Sequence, residues 1–317
     1  MLKKILIAAV LLILVGLGAF YLVANRELSQ NVDRLFAQIL ASGAYQDLSY
    51  DSVTIGLDGT VRLEQLTVVE QEGLAYTFQT VDISDYDYQH DIPRHARLKV
   101  SGLSFPKGLP VLEENEPHVL TDYLQSLMRN EVLPLVIDYR FAYEPEQEYL
   151  ISNTASFDLQ DAGVLSINAM VKQIPLEEFF AYSNEQFPEL AHMQLLNTLS
   201  RAEIPEAGLS FQDAGVLNAA LEKQAVNAGM SREDFQQRLI SQIQGLPLFF
   251  PASLQGLMTS TSAKLSSFLE GGKTFSIAIE PMYDGNIQRL QPEILSAFYT
   301  GDYNRIAALL NLKLETR

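Results

Sequence analysis

Apolar and polar positions change their spacing along this chain, and each change predicts an element. Lys3 and Lys4 precede an apolar run, Ile5 to Ala24, that contains no charge. A bilayer core of about 30 Å needs roughly 20 such residues in a helix, so the run is long enough to span. From Glu27 to Ala41 the apolar positions Leu28, Val32, Leu35, Phe36, Ile39 and Leu40 recur three and four residues apart. That spacing predicts a juxtamembrane stalk helix that docks on the body and is stopped by Ser42-Gly43.

At Leu48 the period becomes two. Val53, Ile55 and Leu57 alternate with Ser52, Thr54 and Gly56, Asp58-Gly59 supplies the turn, and Val61 and Leu63 resume opposite Arg62 and Glu64. This is a hairpin signature. After Gln65 the apolar phase flips to Leu66 and Val68, which marks a bulge, and a second strand pair, Tyr76 to Tyr88 and His95 to Phe105, changes phase at Gly102. Pro106 to Pro117 reads as a loop, and Val119, Leu120, Tyr123, Leu124, Leu127 and Met128 as a helical stripe ending before Pro134. Three alternating strands follow: Leu135 to Tyr143, Tyr149 to Leu159 and Leu165 to Val171. One face of this antiparallel meander is apolar; the other carries Asp138, Arg140, Ser152, Thr154, Ser156, Asp158, Ser166, Asn168 and Lys172.

Beyond Pro175 the spacing is mostly helical. The predicted helices run from Pro175 to about Ser200, from Val216 to Ala225 and from Ser231 to Ile243, where Ser231 and Asp234 form a capping pair. Others are Pro251 to Leu269, Pro292 to Tyr299 and Tyr303 to Leu310, with short strands at Leu209 to Phe211 and Phe275 to Ile279, and Leu312 and Leu314 placed to close a sheet. The predicted fold class is α+β: an N-terminal transmembrane helix, an antiparallel sheet of hairpins and meander, then a helix-rich C-terminal half. The corresponding segments are an anchor (1–26), a stalk (27–46), a β-rich region (47–174) and a helix-rich region (175–317).

Charge orients this arrangement. Lys3 and Lys4 lie before the apolar run and only Arg26, beside Glu27, lies close after it, so the positive-inside bias puts the N-terminus in the cytoplasm. The expected location is the inner (cytoplasmic) membrane, with a single pass and the body outside the cytoplasm, in the periplasm of a Gram-negative cell. The competing reading, a cleaved signal, wants a shorter apolar region and small residues before the cut, whereas Leu22-Val23-Ala24 places a bulky Leu there. Both readings export the body. With 317 residues, 47% hydrophobic, the chain can build a sizeable core. A net charge of −17 without a Lys/Arg cluster argues against nucleic acid as a partner. The absence of Cys excludes disulfides, thiol catalysis and thiolate metal sites.

Candidate chemistry is sparse. His90, His95, His118 and His192 have neither zinc-site nor metalloprotease spacing; His90 and His95 flank a turn within reach of Asp87 and Asp91, and surface-turn histidines account for that pair better than a metal. Asp82, Asp85, Asp87 and Asp91 are the densest acidic run, but the spacing and the missing glycine do not match a calcium loop; a solvated strand face accounts for them. Glu177 and Glu178 are adjacent and point apart on a helix. With no nucleophile elbow and no phosphate loop, the expectation is a protein without enzymatic activity, metal or cofactor. One hexapeptide recurs: Gln160-Asp161-Ala162-Gly163-Val164-Leu165 and Gln212-Asp213-Ala214-Gly215-Val216-Leu217. Duplicated half-modules would explain it; so would a strand-ending turn in which Asp bonds the local backbone and Gly takes positive φ, which is the reading favoured here.

The Lys-flanked apolar run, the short stalk, Tyr50-Asp51-Ser52-Val53, Asp58-Gly59-Thr60-Val61-Arg62-Leu63 and the strand after Pro93-Arg94 ending Gly102-Leu103 resemble the AsmA-like family of bacterial envelope proteins. The resemblance covers the N-terminal third. It implies an inner-membrane-tethered, β-rich protein associated with outer-membrane biogenesis and with lipid passage along an apolar β-groove. This chain is shorter than the large members and richer in helix in its second half. The expected function is binding of a lipid or other apolar ligand between sheet and helices. Phe141, Phe157, Phe179 and Phe180 are the candidate lining, with Phe249 and Phe250 further aromatic positions. The alternative is an assembly scaffold that meets an envelope protein through its acidic surface or a sheet edge.

Overall fold

The computed structural model describes residues 28–41, 43, 45–56, 58–71, 73–87, 89–90, 92–105, 132–177 and 197–317. In chain order the elements are α1 (Leu28–Ala41), β1 (Tyr45–Ser49), β2 (Ser52–Ile55), β3 (Val61–Glu70), β4 (Ala75–Ser84), β5 (His95–Ser104), β6 (Val132–Glu144), β7 (Leu150–Leu159), β8 (Gly163–Lys172) and β9 (Glu203–Asp213). There follow α2 (Val216–Asn227), α3 (Arg232–Gly245), α4 (Ala252–Leu269), β10 (Thr274–Ile279), α5 (Ile287–Tyr299), α6 (Tyr303–Leu309) and β11 (Lys313–Thr316). The strands form one eleven-stranded antiparallel sheet, ordered β1, β3, β4, β5, β6, β7, β8, β9, β10, β11, with β2 also paired to β3.

This corrects the predicted fold class. The expected division into a sheet followed by a helix-rich half does not hold, because β9, β10 and β11 continue the sheet to the end of the chain and the helices are inserted between them. Pairing decides this, and pairing between β9 and β10 joins segments separated by three helices. Among the described residues no helix is long and apolar enough to cross a membrane, so the predicted N-terminal transmembrane helix is not part of the described fold. The run Ile5 to Ala24 and the stripe Val119 to Met128 lie outside the described residues. Helix α5 begins at Ile287, ahead of the expected Pro292, because Asn286 caps it by accepting from the Arg289 N–H at 3.2 Å.

The chain divides into two compact units: residues up to Phe141 with Ala155–Gln160, and Ala142–Thr154 with Asp161–Arg317. In the first unit the hairpin closes at Asp58-Gly59, where the Asp58 carboxylate accepts from the Thr60 N–H at 3.0 Å and Gly59 takes φ 81°. Val61, Leu63, Val81, Ile83, Leu98 and Val100 are buried in one core with Leu66, Val68, Phe78 and Leu103. Helix α1 covers this core with Val32 and Phe36, and the Tyr50 hydroxyl donates to Asp33 at 2.9 Å.

The phase flips expected at Gln65 and Gly102 fall in one row. Glu64 pairs with Thr80 and Leu66 with Phe78; Thr80 pairs with Ser101 and Phe78 with Leu103. Gln65, Gln79 and Gly102 therefore lie side by side, Gln65 at φ 54° and Gly102 at φ 66°. A slip in one strand alone would turn its apolar set to solvent. Matched slips in three neighbours keep every apolar set on the core side. A Cβ on Gly102 would overlap the Gln79 side-chain amide, so this row also requires a residue without one.

In the second unit β8 pairs with β9, β9 with β10 and β10 with β11. Helix α4 packs Phe268 onto Phe211 and Phe275, with ring centroids 6.2 and 5.9 Å apart. The repeated hexapeptides meet across β8 and β9. Gly163 pairs with Asp213, the Ala214 N–H donates to the Ala162 carbonyl at 3.0 Å, and a Cβ on Gly215 would stand 3.2 Å from the Asp161 carbonyl oxygen. Both glycines take positive φ, 152° at Gly163 and 145° at Gly215. Asp213 accepts from the Leu217 N–H at 3.0 Å, which starts α2. The repeat is thus a pair of strand-end turns, with Gly163 in register with Asp213 and Gly215 lying against the Asp161 carbonyl.

Candidate binding surface

Within the acidic run the carboxylates of Asp82 and Asp87 are spent on structure. Asp82 accepts from Arg62 Nε at 2.6 Å and Nη2 at 2.9 Å. The Asp85 carbonyl meets His95 Nδ1 at 2.7 Å. Asp87 is buried and gathers the loop before β5, taking the N–H groups of Gln89 at 2.9 Å and Arg94 at 3.0 Å, with His90 Nδ1 at 2.6 Å. Burial works to raise the Asp87 pKa, but the two N–H donors and His90 outweigh it and hold the carboxyl below its ordinary range. Among the described residues no three potential ligands gather to hold a metal. Asp91, His118, His192 and Glu178 lie outside the described residues. Glu177 accepts from the Tyr143 hydroxyl at 2.6 Å, and burial and this carboxylate together raise the Tyr143 pKa.

The outer face of the first unit carries an ionic ladder. Arg97 forks onto Asp138, 2.9 Å from Nε, and Arg140 stands 3.5 Å from the same carboxylate. The Arg97 hydrogen bonds outweigh partial burial and, with Arg140, hold Asp138 below the ordinary carboxylate range. A concavity of about 400 Å³ beside this ladder is lined by Thr54, Thr60, Arg62, Asp82, Arg97 and Lys99. Both guanidinium groups in it already face carboxylates, which leaves little charge for a ligand.

The second unit offers a different surface. Register places Ile167 beside Leu209, Leu209 beside Ile277 and Ile277 beside Leu314, one apolar row across β8 to β11. Alternation puts this row on the face that also carries Phe211 and Phe275, the face covered at one end by Phe268. Along the row that cover is incomplete: Leu209 is 40% and Ile277 36% exposed. The reverse face is polar, with Asn168 donating to Glu206 at 2.8 Å. The unit therefore presents a sheet face with a dry end under α4 and an accessible apolar band beyond it.

A protein family described as “Uncharacterized protein” matches residues 156–316, just over half of the chain. The chain belongs to this family. No curated protein and no solved structure matches it. The family region takes in the paired strands β8 to β11 and every residue of the apolar row.

Of the aromatic residues picked from the sequence, Phe157 packs against the core of the first unit and Phe141 is half-buried on β6, while Phe179 and Phe180 lie outside the described residues. Phe249 is 84% exposed and lines no interior. Leu209 and Ile277 lie in predicted strands beside Phe211 and Phe275, but nothing in the local pattern sets them next to each other. Their parity with Ile167 was legible; the register that aligns them was not.

Proposed function

We propose that this is a non-enzymatic envelope protein, held at a membrane through Ile5 to Ala24, whose extracytoplasmic body binds a lipid or other apolar molecule. The observation that carries the reading is the in-register apolar row Ile167, Leu209, Ile277 and Leu314, left partly open on a sheet face beside a helical layer. Leaving such a band in water is unfavourable by about 25 cal/mol for each Å² of apolar surface, which an acyl chain lying across the strands would recover. The length of uncharged sequence at the N-terminus and the resemblance of the first third to AsmA-like proteins support the membrane and envelope parts of the reading.

Native mass spectrometry of the full chain, released from mild detergent, tests it. A bound mass that denaturation removes, and that lipid analysis identifies above a mock purification, is the expected result. A clean apoprotein mass from protein extracted under several mild conditions would overturn it in favour of an assembly scaffold.

A further inference from the structure

A second exposed apolar feature lies apart from the row. Helices α3 and α4 form a hairpin joined by a single 3-10 turn, Leu246–Phe249. Leu248 is 82% and Phe249 84% exposed, and Leu246 at the base of the turn is 39% exposed. From Leu239 to Ala263 the chain has no charged residue, although its net charge is −17. Pro247 and Pro251 bracket Leu248, Phe249 and Phe250; each fixes its own φ and restricts the residue before it. At the same end of α4, Gly256 lies against Asn304 of α6, and the turn leading into α6 follows Phe298 and Tyr299, which are 56% and 83% exposed.

We infer that the Leu246–Phe249 turn inserts into the headgroup and upper acyl region of a lipid bilayer. A bilayer interface accepts Leu and Phe side chains in proportion to apolar area and requires no charge partner. It penalises buried charge, which the hairpin lacks throughout its tip and both adjoining helix ends. A protein interface of comparable apolar content is rimmed with polar and charged groups that fix register; this hairpin has no charge with which to do so. The two prolines restrain the turn before it meets the bilayer, so insertion orders little new backbone. The inference does not rest on ligand binding by the apolar row, since the tip and the row are separate surfaces tested by separate readouts.

The chain contains no Trp, so a single introduced Trp reports on one place. Phe249→Trp changes a side chain that makes little contact with the fold. Val226→Trp, near the end of α2 and separated from the tip by the length of α3, roughly 20 Å, serves as a control that is also well exposed, 73% in the native residue. Each full-length variant is reconstituted in phosphatidylcholine vesicles with and without brominated phosphatidylcholine. The expected result for Phe249→Trp is emission at shorter wavelength than that of Trp in water, quenched at least twofold by the brominated lipid, with Val226→Trp unquenched. Water-like, unquenched emission from Phe249→Trp overturns the inference. So does a blue shift without bromine quenching, which means that a second protein copy covers the tip, and so does equal quenching of both variants, which means general adsorption.

Discussion

Replacing Leu209 and Ile277 together by Ser removes the open part of the apolar row while leaving the Phe268 cluster in place. Leu209 is 40% and Ile277 36% exposed. Full burial of a Leu or Ile is worth about 1.5–3 kcal/mol, so a ligand that covers the exposed remainders gains about 0.6–1.2 and 0.5–1.1 kcal/mol, roughly 1–2 kcal/mol in sum. That corresponds to a loss of roughly fivefold to thirtyfold in affinity for an acyl ligand in the double variant. The assay is titration of a fluorescent fatty acid into the full chain held in amphipol, with empty amphipol subtracted. Each single variant is expected to contribute about half of the effect on a logarithmic scale. Val226→Ser, on an exposed helix end, is the control that leaves binding unchanged. If the double variant is folded by circular dichroism and binds within twofold of the native chain, the ligand does not lie on this row and the proposed function loses its central observation.

Other substitutions test the fold beneath the surface. Phe268→Ala, which removes a buried ring lying against Phe211 and Phe275, is expected to cost about 3–5 kcal/mol in urea unfolding, whereas Phe249→Ala at the exposed tip stays within about 0.5 kcal/mol. Gly285→Ala drives a Cβ into the Ile204 backbone at a φ of 74°, and strain with overpacking should lower stability by about 3 kcal/mol or prevent folding, read as a loss of cooperative melting. Because the folded-state pKa of Asp138 is depressed, its contribution is present above the unfolded carboxylate value of about 3.9 and is lost as pH falls through the lower folded value. Asp138→Asn is therefore expected to be less stable than the native chain at pH 7, with the gap closing as pH drops below about 4; a gap independent of pH would refute the assignment.

What the sequence determined by itself is local. Alternation predicted the hairpin around Asp58-Gly59, the strands of the meander and the phase flips at Gln65 and Gly102, because side-chain direction in a strand depends only on parity and turn chemistry. Helical spacing and capping predicted α2 and α3, where Ser231 accepts from the Asp234 N–H at 3.1 Å as its position implied. The hexapeptide repeat showed its turn chemistry, though not that its copies would meet. Tertiary structure alone decided which strands are neighbours. Ile167, Leu209, Ile277 and Leu314 become one surface only after β8, β9, β10 and β11 pair in a particular register, and no local interaction records that choice. The same holds for the helices. Apolar spacing marks a face on α4, but only packing shows that Phe268 closes one end of the sheet while the turn before α4 leaves Leu248 and Phe249 in solvent. Burial is a property of pairs of surfaces, and a single sequence position carries only one of them.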